Sequence, residues 1–314
     1  MDLGLLEKSP VRLRASLCLA LLIFASPALP KDKTSFKPTL SFKLTGGWGS
    51  DLPSNDMNTI LESFNNMGRF VDYREYYPEL ISGEIKTLST KIPDWHLEFR
   101  LDINRRIGLA LGISMPFQKS NESTINWTMT VGQRHQFTIR PKIQTLPPLI
   151  WSVYYSFFPD SRMNIQLNLG AGLYLAKLSE YYRLEVTPPE SDTDWLIRYW
   201  ETGFCGTIAP HAGLEIDFKI LRTLTFVAEA QWRYAKINNF CGTIYYEGKN
   251  PGSYYEDRGF LYYYTRLEFY TGDRYADLII PYPKTVIEFP AGIRKATLDL
   301  SGYSIRLGLK VNLF

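Results

Sequence analysis

Apolar and polar positions alternate with period two in eight stretches of this chain. The last is the clearest. Tyr303, Ile305, Leu307, Leu309, Val311 and Leu313 share one face, and Ser304, Arg306, Gly308, Lys310 and Asn312 share the other. Successive side chains of a strand point to opposite sides, so the segment reads as a strand with one apolar and one polar face. The first stretch, Thr39 to Trp48, sets Leu40, Phe42, Leu44 and Trp48 against Thr39, Ser41, Lys43 and Thr45. The second sets Trp95, Leu97, Phe99, Leu101 and Ile103 against His96, Glu98, Arg100 and Asp102. The third runs from Ile107 to Phe117 with Gly108, Ala110, Gly112 and Ser114 on its small face. The fourth, Phe137 to Phe158, is interrupted by Pro141, Pro147 and Pro148 but ends with Leu149, Trp151, Val153, Tyr155 and Phe157 on one side. The fifth alternates from Asn164 to Leu175, the sixth from Ile208 to Phe218, and the seventh from Leu224 to Tyr234.

Stretches of about 9–11 residues match a tilted strand that crosses a bilayer. The links between them alternate in length. Residues 104–106, 159–163 and 219–223 make short turns, whereas 49–94, 118–136, 178–206 and 237–296 are long. A soluble sandwich gives no reason for every second link to be long. The pattern predicts an all-β fold: an eight-stranded antiparallel up-and-down transmembrane barrel with long extracellular loops. An even strand count puts both mature termini on the side of the short turns.

Charge fixes which face meets lipid. A one-residue slip would turn Glu98, Arg100, Asp102, Glu215, Asp217, Glu229 and Arg233 outward. A lipid-facing Arg or Lys costs up to about 2–4 kcal/mol at the midplane, and acids cost less. Several such penalties exceed the roughly 5–15 kcal/mol net stability of a domain. The charges therefore point in. Eight strands leave room only for side chains. The expected lumen network comprises Glu98, Arg100, Asp102, Arg140, Lys142, Glu215, Asp217, Glu229, Arg233, Arg306 and Lys310, paired across the interior with trapped water. Gly108, Gly112 and Gly170 would make space for long side chains opposite. Trp48, Trp95 and Trp232 fall at the loop-bearing strand ends, where an aromatic girdle belongs.

The chain start fits export. Lys8, Arg12 and Arg14 precede the apolar run Ala15–Ala25 and the small residues Ser26 to Ala28, which reads as a signal peptide over 1–28. The barrel domain then occupies 29–314, and Cys18 leaves with the signal. A net charge of +3 is too small to imply nucleic acid as a partner. Aromatics make up 15% of the chain, with 21 Tyr, which suits interfacial belts and recognition loops. The expected partner is outer-membrane lipid around a monomer in a bacterial outer membrane.

These features resemble the eight-stranded outer-membrane barrel superfamily that contains OmpA-like, OmpX-like and OmpW-like proteins. Gly46-Gly-Trp-Gly49 and the substantial first loop make the chain most similar to the OmpW-like group. The resemblance implies handling by an outer-membrane assembly machinery and, for the OmpW-like group, a narrow pore for small solutes. One feature departs from the usual C-terminal signature. Two and four residues before Phe314 stand Asn312 and Lys310, so Leu313, Val311 and Leu309 carry the outward register.

Met57, Ile60, Leu61, Phe64 and Met67 recur at helical spacing, which predicts a short amphipathic helix in the first long loop. The last loop is rich in Tyr. No paired-histidine or zinc spacing, nucleophile elbow or phosphate loop stands out, so no catalytic, cofactor or metal site is expected. The string Phe-Cys-Gly-Thr-Ile occurs at 204–208 and again at 240–244, flanking the sixth and seventh strands. A disulfide between Cys205 and Cys241 is expected there. The sequence supports a non-enzymatic barrel with a charge-filled lumen first, a narrow pore second and a lipid-modifying enzyme third.

Overall fold

The computed structural model describes residues 36–50, 56–66, 74–89, 91, 93–129, 131–189, 192–249, 254–267, 274–280 and 293–313. The signal segment 1–28, Met67 and Phe314 lie outside these. Contacts divide the chain at residue 37, and every described strand and helix lies in the unit Pro38–Phe314.

Eight strands close into an antiparallel ring. They are β1 (Thr39–Gly49), β2 (Pro93–Asp102), β3 (Ile107–Ser114), β4 (Leu149–Ser156), β5 (Met163–Thr187), β6 (Cys205–Lys219), β7 (Leu224–Arg233) and β8 (Gly302–Asn312). Each pairs with its neighbours in chain order, β5 pairs with β6, and β8 returns to β1 to complete the ring. Leu44 faces Leu309 on one side and Leu97 on the other, so the apolar faces align across strands. Leu111, Leu214, Ile305 and Leu309 are exposed, as a lipid-facing band requires, whereas Ser41, Lys43, Glu98 and Glu215 are buried inside.

The fourth stretch of the sequence is two strands. Arg134–Thr145 leaves the barrel, and β4 begins only after Pro147-Pro148. Two successive prolines supply no backbone donor and force an extended break, so the ladder cannot run through them. The fifth stretch, by contrast, continues far beyond the barrel. β5 has 25 residues, and its upper half pairs with Arg134–Thr145 on one side and with Asp194–Thr202 on the other.

On this upper half the long links build a cap rather than separate loops. Its sheet runs Ile81–Ser82, Ser123–Thr128, Arg134–Thr145, upper β5, Asp194–Thr202, Cys241–Gly248, Tyr255–Phe260. A second small sheet joins Arg274–Ile279, Tyr262–Leu267 and Arg294–Lys295. Helix α1 (Asp56–Asn65) buries Met57, Ile60, Leu61 and Phe64 in the cap core, with Phe64 5.6 Å from Phe137 between ring centres. Both ends of α1 are pinned. The Asp56 carboxylate accepts from Arg294 at 2.6 and 2.7 Å and from Thr297 N at 2.8 Å. Asn58 exchanges bonds with the Leu88 backbone, and Asn65 accepts from Ile85 N.

Candidate functional site

The barrel interior is the most densely functionalised region among the described residues. At its centre the Lys43 ammonium lies 2.7 Å from Glu215, 3.0 Å from Glu98 and 3.3 Å from Glu229. It also donates to Tyr154 Oη at 2.8 Å, and that hydroxyl donates to Glu98 at 2.9 Å. Toward the short turns, Arg100 donates to Asp102 at 2.7 Å and to Gln166, while Lys310 pairs with Asp217. Toward the cap, Arg306 donates to Glu229 and Gln231, each at 2.9 Å, and lies 3.5 Å from Asp94. Arg233 sits higher, 3.9 Å from Asp94 and donating to Leu300 O.

Five cations thus face six carboxylates in one connected network. A lone buried charge is costly, and a pair recovers that cost only with close geometry and saturated hydrogen bonds. Interleaving of the two signs supplies the close geometry here, while Glu98 Oε1, Glu215 Oε1, Asp217 Oδ1 and Arg306 Nε have no hydrogen-bond partner among the described residues. Gly112 and Gly170 are part of the packing: an added Cβ would collide with the imidazoles of His96 and His211 respectively. A cavity of about 30 Å³ at the top of the lumen, between Asp94, Ser114, Tyr174 and Arg233, has room for about two waters.

Nine of the eleven lumen residues read from sequence belong to this network. The other two do not. Arg140 is exposed and pairs with Glu122 at 2.9 Å, and Lys142 is half-buried on the outer side of the cap sheet. Both fall on the cap strand Arg134–Thr145 above the double-proline break, outside the lumen. Lys43, Tyr154, Asp94, Gln166 and Gln231 were missed. Lys43 carried a readable signal, since it lies on the polar face of β1 beside Ser41 and Thr45. Gln166 and Gln231 lie on polar faces too, but neutral amides gave no charge to pair.

Trp48, Trp95 and Trp232 are exposed at the cap-side ends of β1, β2 and β7, with Trp232 opposite Tyr303 of β8 and Trp48 opposite Ile305. Phe157, Phe158 and Phe218 are exposed at the opposite ends.

Inside the lumen Ser152 Oγ meets His211 Nε2 at 2.9 Å, the spacing of a nucleophile and its base. Both are buried, and His211 Nδ1 has no orienting partner among the described residues. The pair lacks the third group and the access that acyl transfer needs. Among the described residues no group of three or more His, Cys, Asp or Glu side chains is arranged to hold a metal ion.

The cap holds a second charged cluster inside its apolar core. Arg198 donates to Asp277 at 2.8 and 3.1 Å and to Glu180 at 2.7 Å. Two carboxylates share one guanidinium. Burial pushes the Glu180 carboxyl up to about 7, with Arg198 opposing and Asp277 reinforcing that rise. On the cap surface a cavity of about 320 Å³ is lined by Glu79, Ser82, Asn126, Arg134, Gln136 and Glu185, among others. Cys205 and Cys241 are both free thiols, and Cys205 Sγ sits 3.3 Å from Asn239 O, two residues before Cys241.

No protein-family model matches the chain, and no curated protein matches it in sequence. Among solved structures it is similar to a major outer membrane protein from Thermus thermophilus, at 10% identity and TM-score 0.34, covering 88% of this chain and 100% of that one. It is also similar to the outer membrane protein OprG from Pseudomonas aeruginosa, at 10% identity and TM-score 0.35, covering 87% and 95%. A third is the outer membrane protein AlkL, determined in DMPC bilayers, at 9% identity and TM-score 0.33, covering 92% and 96%. Scores of this size leave the superpositions loose. The closed eight-stranded barrel rests on the strand pairing of this chain itself.

Proposed function

We propose that this protein is a bacterial outer-membrane β-barrel that works as a closed, non-enzymatic envelope component, its cap serving surface packing or recognition. The observation that carries this reading is the inversion of the barrel: an apolar exterior around an interior of salt-bridged charges. Only a hydrocarbon surround makes that arrangement favourable. A closed ring also leaves no strand edge for lipid to meet. The non-conducting character is supported by Lys43, Tyr154 and Arg306, large side chains that fill the lumen with almost no exposure. The non-enzymatic character is supported by the inaccessible Ser152–His211 pair. The polar cap cavity supports recognition of a ligand outside the cell. Lipid is the surrounding partner, and one chain closes the barrel without a second copy.

In this reading the short turns are periplasmic and the cap is extracellular. Protease added to intact cells is expected to cut within 237–296 and to spare the turn Asn104 to Arg106. Cleavage in the cap only after the envelope is broken would overturn it. A narrow solute pore is the second reading and requires the lumen network to part. An enzyme acting on lipid is the third; lipid profiles that change with loss of the protein would support it.

A further inference from the structure

The three short turns differ from the rest of the barrel surface in composition. They carry Arg105, Arg106, Arg162, Lys219 and Arg222, against the single acid Asp160. Arg105 lies 3.5 Å from Asp160 on an open surface, where such a pair is weak. Among the described residues the other four have no carboxylate partner. Exposed apolar residues stand in or next to the same turns: Phe157, Phe158, Ile220 and Leu221.

Two of the turns form a built site. Lys219 N donates to Arg162 O at 2.9 Å, Arg162 Nε donates to Lys219 O at 3.4 Å, and Lys219 Nζ donates to Pro159 O at 2.8 Å. The Arg162 guanidinium lies over the Phe218 ring at 5.0 Å. Its terminal amino groups carry no bond among the described residues. Two cations are thus held side by side by backbone and ring contacts, with exposed aromatic surface next to them. A guanidinium fork beside an ammonium matches the oxygens of a phosphodiester. The adjacent phenyl rings match the glycerol and acyl region beneath it.

Resting on the orientation given above, we propose that this rim is a binding site for anionic phospholipid headgroups of the periplasmic leaflet, with Arg162 and Lys219 holding the phosphodiester and Arg222, exposed in the same turn as Lys219, adding positive charge. A zwitterionic headgroup presents the same phosphate but adds an ammonium that these bases repel. Each basic side chain near an anionic membrane surface changes occupancy by roughly fivefold. The rim therefore prefers phosphatidylglycerol over phosphatidylcholine.

The test uses the mature full-length chain reconstituted in mixed phosphatidylcholine and phosphatidylglycerol nanodiscs, with retained lipids counted by native mass spectrometry. Enrichment of phosphatidylglycerol above the bulk ratio is expected. It should fall to the bulk ratio in a variant carrying Arg162→Gln, Lys219→Gln and Arg222→Gln, and in high salt. Heat-dependent gel migration confirms in parallel that variant and parent both insert as barrels. Retained lipid at the bulk ratio in the parent, or enrichment unchanged in the variant, would overturn the site while leaving the barrel reading intact. Failure of the parent to insert would overturn the barrel reading and the site with it. Variant-sensitive binding to isolated cell wall, without lipid enrichment, would reassign the rim to peptidoglycan and likewise overturn it.

Discussion

The lumen and the cap share one strand, and β5 shows what separates them. In its lower half Asn164, Gln166 and Asn168 point inward, while Ile165, Leu167 and Leu169 point out. Higher up the polarity is reversed: Tyr174, Ala176 and Leu178 enter an apolar core, and Tyr181, Arg183 and Glu185 face outward. The backbone is continuous and the inward parity never changes. What changes is the solvent. Where hydrocarbon surrounds the barrel, hiding apolar side chains gains little and polar groups must be hidden instead. Above the membrane the ordinary hydrophobic effect returns and fills the interior with Ile, Leu, Phe and Trp. The molecule therefore has two cores stabilised by different terms, ion pairing below and apolar burial above.

That contrast can be broken from either side. The largest effect is expected for Lys43→Met, which leaves Glu98, Glu215 and Glu229 without their shared cation. Removing one partner of a buried pair costs about 3–5 kcal/mol. A lower urea midpoint for unfolding from lipid vesicles would register it, and an unchanged midpoint would mean that water already screens the lumen. Leu61→Ala tests the other core, where Leu61 is fully buried. A loss of about 2–5 kcal/mol is expected, confined to the cap. Proteolysis of the cap should accelerate while heat-dependent gel migration of the barrel stays as it was. Loss of both would show that the two cores are one cooperative unit.

A smaller contribution is expected from a Cys205–Cys241 bridge, formed when the two free thiols meet an oxidising envelope. Closing that loop is worth about 2–4 kcal/mol to the cap base. Alkylation without reductant followed by intact-mass measurement decides it, since two labels on the unreduced protein exclude the bridge.

The smallest effect is a pH dependence of the cap. Glu180 faces Arg198, Asp277 and Tyr246, with Tyr182 beneath the guanidinium. Burial raises its folded-state pKa to about 7, above the ordinary carboxyl value. Its contribution to stability is therefore complete at acid pH, below the ordinary carboxyl range, and is lost as pH rises through about 7. Hydrogen-exchange protection factors in the cap, which divide out the base-catalysed intrinsic rate, should fall between mildly acid and mildly alkaline pH, and Glu180→Gln should flatten that change. Protection that rises with pH would reverse the sign.

The barrel was legible because period-two alternation is local and repeats eight times. The lumen charges followed from parity alone. The cap was not legible in the same way. Its core draws on α1, on Ile85 and Leu88, and on strands from four separate links, so no single window carries its pattern. Alternation also continued smoothly along β5, hiding the point where the strand leaves the membrane. Arg140 and Lys142 went astray for the same reason: parity places a side chain on a face but does not say how high on the molecule that face lies. Pro147-Pro148 was the signal that marked the break.

The central claim is that ion pairing packs the lumen shut, and single-channel conductance of the purified protein in a planar bilayer addresses it most directly. The baseline should stay closed, without stable discrete openings, at neutral pH. Reproducible openings of fixed unitary conductance in the parent protein would contradict a closed lumen and give the pore reading first place.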